Sequence, residues 1–229
     1  MAQICAEVLD VAPERTRVVH GRTDRIDHGM GAFASRVTVM TGCAVKAAAE
    51  ALKEKMTHEK PPISAEGWFR STHMNYPYGM HAAVVRVDPA TCGINIERFV
   101  VACDIGRAVN PMLVEGQFTG GAAQGIGGAL LEEFLYDDGG QPLATTFADY
   151  LLPTAAEVPP IEVLITEDAP SPLNPLGVKG AGEGGINAAG AAIAAAVDDA
   201  LGRPGAVTRL PITPRRLHRI TLPAKEEHR

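Results

Sequence analysis

Residues 177 to 185 read GVKGAGEGG, and the single acid in that run, Glu183, stands between glycines. No neighbouring side chain shields such a carboxylate, so another group can approach it closely, which suits general-base work. The reading as a solvated glutamate on a surface loop stays open beside it. Gly180, Gly182 and Gly185 also fit the G-x-G-x-x-G pattern of a dinucleotide loop. That loop needs a strand running straight into the glycines and an acid about 20 residues further on. Here Pro170, Pro172, Asn174 and Pro175 come first, which no central strand accommodates, and Asp198 and Asp199 come too early. The dinucleotide reading fails on both counts.

A second pattern lies upstream. Gly116, Gly120, Gln124 and Gly127 recur three or four residues apart, on one face of an expected helix over residues 112–133. Each glycine costs up to about 1 kcal/mol relative to alanine inside a helix, so the stripe implies that something packs very close to that face. The four cysteines (Cys5, Cys43, Cys92, Cys103) contain no C-x-x-C pair and read as free thiols. The seven histidines, among them His20, His28, His73 and His81, lack metal-ligand spacing. No side-chain metal site is therefore expected.

The elements that must position these groups follow from periodicity and turn chemistry. A short helix is expected over residues 2–9. Apolar residues then recur at helical spacing from Val37 to Leu52, ahead of the charged run Lys53–Lys55. Residues 57–78 are polar-aromatic and proline-broken, hence irregular. Strands are expected at about 80–88 and 94–103, joined through Asp88-Pro89-Ala90-Thr91-Cys92-Gly93, with Pro and Gly supplying the turn. A further strand at about 161–166 leads into the glycine loop. A small-residue helix over about 186–201 and a proline-punctuated tail containing LPITP complete the chain. The fold class is α+β, a mixed sheet with helices. No repeat or linker separates domains, so residues 1–229 read as a single domain with a flexible tail at about 221–229.

Composition bounds the function. The 229 residues carry a net charge of −6, which gives no electrostatic reason to expect nucleic acid or an anionic membrane surface. The opening MAQICAEVLDVAPERTR has no signal-peptide pattern, and the longest apolar run, around residues 188–197, is too short to span a bilayer. The chain reads as cytoplasmic, with no membrane partner. Twenty-four glycines and an aromatic content of 5% point to close backbone approaches and reliance on a neighbour for bulk.

Taken together, three stretches resemble the molybdenum-binding large subunit of the xanthine dehydrogenase/aldehyde oxidase/aerobic carbon monoxide dehydrogenase family, in its C-terminal part. They are GRTDRIDHGMGAFASRVTVMTGCAVKAAAEALKEK, VVACDIGRAVNPMLVEGQFTGGAAQGIGGALLEEFLYD and PSPLNPLGVKGAGEGGINAAGAAIAAAVDDAL, in family order. The resemblance puts the family's catalytic glutamate on Glu183. It implies that Ala34, Ser35 and Arg36 lie beside the molybdenum and its pterin, and that Gln124, with Gly125 and Gly182, contacts the pterin. Thr38, at a helix start, is expected to offer backbone N–H groups to a phosphate. Lys179 and Thr23 are further cofactor-binding candidates.

Molybdenum itself would be held by the pterin, not by a side chain. The glycines after Glu183 are closer to the carbon monoxide dehydrogenase-like branch, which implies the cytosine dinucleotide form of molybdopterin. The implied complex has a larger molybdopterin-binding subunit, a 2Fe-2S subunit and an FAD subunit. Its reaction hydroxylates an N-heteroaromatic or aldehyde carbon and sends two electrons to those partners. This chain reads as the smaller polypeptide of a split molybdenum subunit, a truncated chain being the alternative. A catalytically silent assembly subunit and a non-redox small-molecule binding module remain as competing functions.

Overall fold

A computed structural model describes residues 1–222. Residues 223–229, most of the expected tail, lie outside it. The chain forms two compact units, each assembled from three separate segments. The first comprises residues 1–78, 104–114 and 165–182; the second comprises 79–103, 115–164 and the described residues from 183 onward.

The first unit is built on two helices, α1 (Ala2–Leu9) and α2 (Val37–Lys55). Asp10 closes α1 in the left-handed conformation, with its N–H and that of Val11 returning to the last turn. Lys53 and Lys55 sit at the C-terminal end of α2, where cations complement the helix dipole. Ile4, Val39 and Cys43 bury together with Leu176 and Val178 from the third segment, and Met1, Met40 and Phe69 pack around them. Gly42 lets α2 approach: a Cβ there would lie 3.0 Å from Ile4 and 3.1 Å from Leu176. Residues 57–77 contain no helix or strand, as their prolines require.

The second unit carries the sheet, β1 (Tyr78–Val87), β2 (Ile94–Asp104) and β3 (Ile161–Thr166), in the order β1-β2-β3. Along β1, His81, Ala83, Val85 and Val87 are the less exposed positions, the period-2 pattern of a sheet with one wet face. On β2 the inward set shifts by one residue between Ile96 and Phe99. The β1–β2 turn works differently from expectation. The residue in the left-handed region is Cys92 (φ 57°), not Gly93, and the Asp88 carboxylate accepts from Ala90 N–H at 2.8 Å. Arg98 on β2 donates from Nε and Nη2 to the two carboxylate oxygens of Glu162 on β3.

Helix α3 (Pro111–Leu130) starts in the first unit and continues into the second, ending three residues before the expected limit. Helix α4 (Ala189–Leu201) begins three residues later than expected, because residues 182–188 form turns. The proline-rich tail holds an unexpected helix, α5 (Pro214–Thr221), so Thr221 belongs to a helix and not to a loose end. Its signal was present: Thr213 caps Arg216 N–H through its hydroxyl, and Pro214 follows at the first helical position. Phe99, Val101, Phe118, Ile126, Ile193, Val197, Ile212 and Leu217 are the largest fully buried side chains of this unit.

Candidate functional site

The first unit holds the 34–36 stretch and Lys179. Ala34 (φ 50°) and Ser35 (φ 52°) are consecutive non-glycine residues in the left-handed region. Such backbone costs on the order of 1–3 kcal/mol per residue and persists only where the surroundings enforce it. Part of the enforcement is visible at Gly180, where an added Cβ would lie 2.9 Å from both Cβ and O of Ser35. Glycine at 180 is thus required by the passage of Ser35. Arg36 is the N-cap of α2, makes no side-chain cap bond, and lays its guanidinium over the Phe33 ring at 5.0 Å. Thr38 is exposed in the first turn of α2, and Thr23 lies exposed in a turn beside the Arg22–Asp24 ion pair.

Lys179 is 6% exposed, and its Nζ donates to Asp104 at 2.8 Å while standing 3.8 Å above the Tyr78 ring. Burial alone would push the Asp104 carboxyl up. Donation from Lys179 and from the Gly106 and Ala169 N–H groups outweighs it and holds the group at about 2. The same contacts raise Lys179 above its ordinary value despite burial. Lys179 therefore has a structural task, tying the glycine loop to the end of β2. Asp104 was not singled out by sequence reasoning, since 75 residues separate the partners.

The residues before the glycines are a turn, not a strand. Asn174 accepts from Leu176 and Val178 N–H at 3.2 Å and donates to Val178 O at 2.8 Å. Cys43 lies nearby with its Sγ 3.8 Å from Asn174 Oδ1, and burial pushes the thiol up against smaller opposing contributions from Leu176 and Lys46. All four cysteines are free thiols, three of them buried.

The second unit holds Glu183, Gln124 and Gly125. Glu183 is exposed, and its carbonyl receives Ile186 N–H at 3.2 Å and Asn187 N–H at 3.3 Å. The next carbonyl, of Gly184, receives His81 Nε2 at 2.9 Å. The turn is pressed on α3: a Cβ at Gly185 would lie 2.3 Å from Phe118 O, and one at Gly121 would lie 3.0 Å from Gly185 Cα. Gly125 continues this closed face against Ala189.

The open face is a different one. Gly116 and Gly120 meet nothing within 4 Å, and Gln124 beside them is exposed. Gly127, expected on that stripe, is instead covered by Glu132 and Pro153. So α3 carries two glycine faces, one filled by the Glu183 turn and one accessible to a flat partner. Among the described residues no group of three or more His, Cys, Asp or Glu is gathered as a metal site, and no helix is long and apolar enough to cross a membrane.

Residues 1–60 and 56–159 match the model of the molybdopterin cofactor-binding domain. The chain belongs to that family. Its relatives include the gamma subunit of the 6-hydroxypseudooxynicotine dehydrogenase complex of Paenarthrobacter nicotinovorans, 40% identical across 95% of this chain and 33% of that protein. The nicotine 6-hydroxylase large subunit of the same organism is 32% identical over 96% of this chain and 33% of its own length. Among solved structures, quinoline 2-oxidoreductase from Pseudomonas putida 86 superposes with a TM-score of 0.80 at 32% identity, covering 95% of this chain and 34% of that one. A Cu,Mo-CO dehydrogenase gives 0.86 at 27% identity, covering 96% and 33%. The chain thus spans about a third of the length of the relatives it matches. The α+β fold and the resemblance read from the three motifs are those of molybdenum hydroxylase large subunits.

Proposed function

We propose that this chain is the part of a molybdenum hydroxylase that carries the general base, Glu183, together with part of the molybdopterin-binding surface. The observation that supports this most directly is the exposed Glu183 on a glycine-flanked turn whose backbone is held on both sides of Gly184. The open Gly116/Gly120 face with the exposed amide of Gln124 fits a flat pterin, with the amide free to hydrogen-bond its edge. The bulge of left-handed backbone at Ala34–Ser35, together with Arg36 and the first turn of α2 at Thr38, fits a polar and phosphate-bearing group. Gln124, with Gly182 next to Glu183, is assigned to the pterin and Thr23 to a peripheral contact, whereas Gly125, packed on Ala189, supports Gln124 from behind. Of the candidates, Lys179 is assigned to the frame.

When bound, molybdenum–molybdopterin supplies the two-electron oxidation and oxygen-transfer chemistry. Glu183 takes the proton from the attacking oxygen nucleophile on a carboxylate oxygen. Overall, a carbon–hydrogen bond and water become a carbon–hydroxyl group, two protons and two electrons, and the electrons leave to 2Fe-2S and FAD partners. The names of the nicotine- and quinoline-transforming relatives support an N-heteroaromatic substrate over an aldehyde. The cytosine dinucleotide cofactor, a larger molybdopterin-binding partner, a cytoplasmic setting and action of residues 1–229 as one functional domain belong to the same reading.

The test is Glu183→Gln in the complex purified from its host. Turnover should fall at least about 10²-fold, the usual contribution of a general base, with molybdenum content unchanged. Acid should release CMP from both preparations. Undiminished turnover would make the chain an assembly subunit, and a complex without molybdenum would make it a binding module.

A further inference from the structure

His81 lies on the inward side of β1 with its ring edge-on to Phe99, centroids 5.7 Å apart and planes at 79°. Its two nitrogens have different surroundings. Nε2 is 2.9 Å from the carbonyl oxygen of Gly184, which can only accept, so Nε2 is the nitrogen that carries hydrogen. Nδ1 is buried and meets no hydrogen-bond partner. A buried polar atom left unpaired is unfavourable, and an apolar ring in the same place would avoid it. The imidazole is therefore a poor choice for packing alone, and its distinguishing feature is the bond to Gly184.

That bond bears on the residue next to it. Glu183 sits in Gly182-Glu183-Gly184-Gly185, a run whose glycines give the backbone wide conformational freedom. The Glu183 carbonyl is held by the Ile186 and Asn187 N–H groups, and Gly185 is held by steric contact with Phe118. Between these anchors, the Gly184–Gly185 peptide plane is fixed by His81. We propose that His81 is a positioning residue for Glu183: its Nε2–H holds the Gly184 carbonyl and so keeps the glutamate in its reactive placement. This inference rests on the assignment of Glu183 as general base.

Two substitutions separate the hydrogen bond from the ring. His81→Phe keeps a ring against Phe99 and removes the donor. His81→Gln keeps a donor at about the Nε2 position and removes the ring. In the assembled complex, His81→Phe should lower kcat about 10-fold, with KM within about 3-fold, a loss in keeping with one hydrogen bond ordering a glycine-rich turn. Amide hydrogen exchange in a peptide covering residues 182–188 should rise by a similar factor. The melting temperature should change little, because removal of the unpaired Nδ1 offsets loss of the donor to the Gly184 carbonyl. His81→Gln should restore kcat and exchange protection to within about 3-fold of the parent protein.

Equal kcat and equal exchange in parent and His81→Phe would overturn the proposal. So would a parallel loss in both variants, which would make the ring, and not its N–H, the feature that matters. Glu183→Gln measured alongside separates this outcome from failure of the functional reading. If that variant turns over normally, Glu183 is not the base. If it is inactive while His81→Phe is not, only the positioning role fails.

Discussion

Gly185→Ala tests the link between the Glu183 turn and α3. An alanine Cβ at that position would lie 2.3 Å from the Phe118 carbonyl oxygen and 2.9 Å from that residue's Cα and carbonyl carbon. These are backbone atoms inside a helix, so they cannot swing aside as a side chain would. Comfortable contact needs about 3.5 Å, so the turn must retreat by about 1 Å or α3 must deform. Overpacking of this kind costs about 1–3 kcal/mol. Displacing a reactive group by about 1 Å costs on the order of 10²-fold in rate. Gly128→Ala is the matched control, since an added Cβ there meets nothing within 4 Å and the helix gains up to about 1 kcal/mol. The assays are thermal unfolding of the purified complex and single-turnover rate under saturating substrate. A Gly185→Ala complex as stable and as fast as Gly128→Ala would refute the argument that α3 sets the position of the turn.

Two further outcomes follow from the frame around these groups. Asp104 is held at about 2 in the folded chain and returns to about 3.8 when unfolded, so it contributes stability above the unfolded value. That contribution, roughly 2 kcal/mol, should vanish as pH falls from about 5 to about 2. In urea titrations at stepped pH, Asp104→Asn should lack this component, and an unchanged acid slope would contradict it. Thr213→Ala removes the cap of α5 and should cost about 1 kcal/mol, read from the urea midpoint, with turnover unaffected.

Much of this was legible in sequence because it is local. Helical spacing places α2 between Val37 and Lys55, prolines keep residues 57–77 irregular, and the glycines around Glu183 mark an approachable carboxylate. The departures arise where distant segments decide. Helix α4 starts at Ala189, after a run of turns at 182–188 that is pressed against Phe118 of α3 at Gly185. Gly127 leaves the open stripe because Glu132 and Pro153 fold back over it. The Asp104–Lys179 pair and the His81–Gly184 bond join residues 75 and 103 positions apart, and no periodicity encodes such pairings. Helix α5 was missed for the opposite reason: the prolines of LPITP hid a cap-and-proline start that is itself a local signal.

The division of each unit among three segments has a consequence for synthesis. The apolar sides of α1 and α2 bury against Leu176 and Val178, which emerge from the ribosome well over a hundred residues after Cys43. At about 5–20 residues per second, Val39 and Cys43 wait roughly 7–27 s, and Ile4 roughly 9–34 s, for the side chains of Leu176 and Val178. During that interval α1 and α2 can cover each other only in part, and the side meant for Leu176 and Val178 stays exposed. Efficient production should therefore depend on chaperone capacity and on translation speed between residues 56 and 178, a sensitivity that a unit built from one contiguous segment would escape.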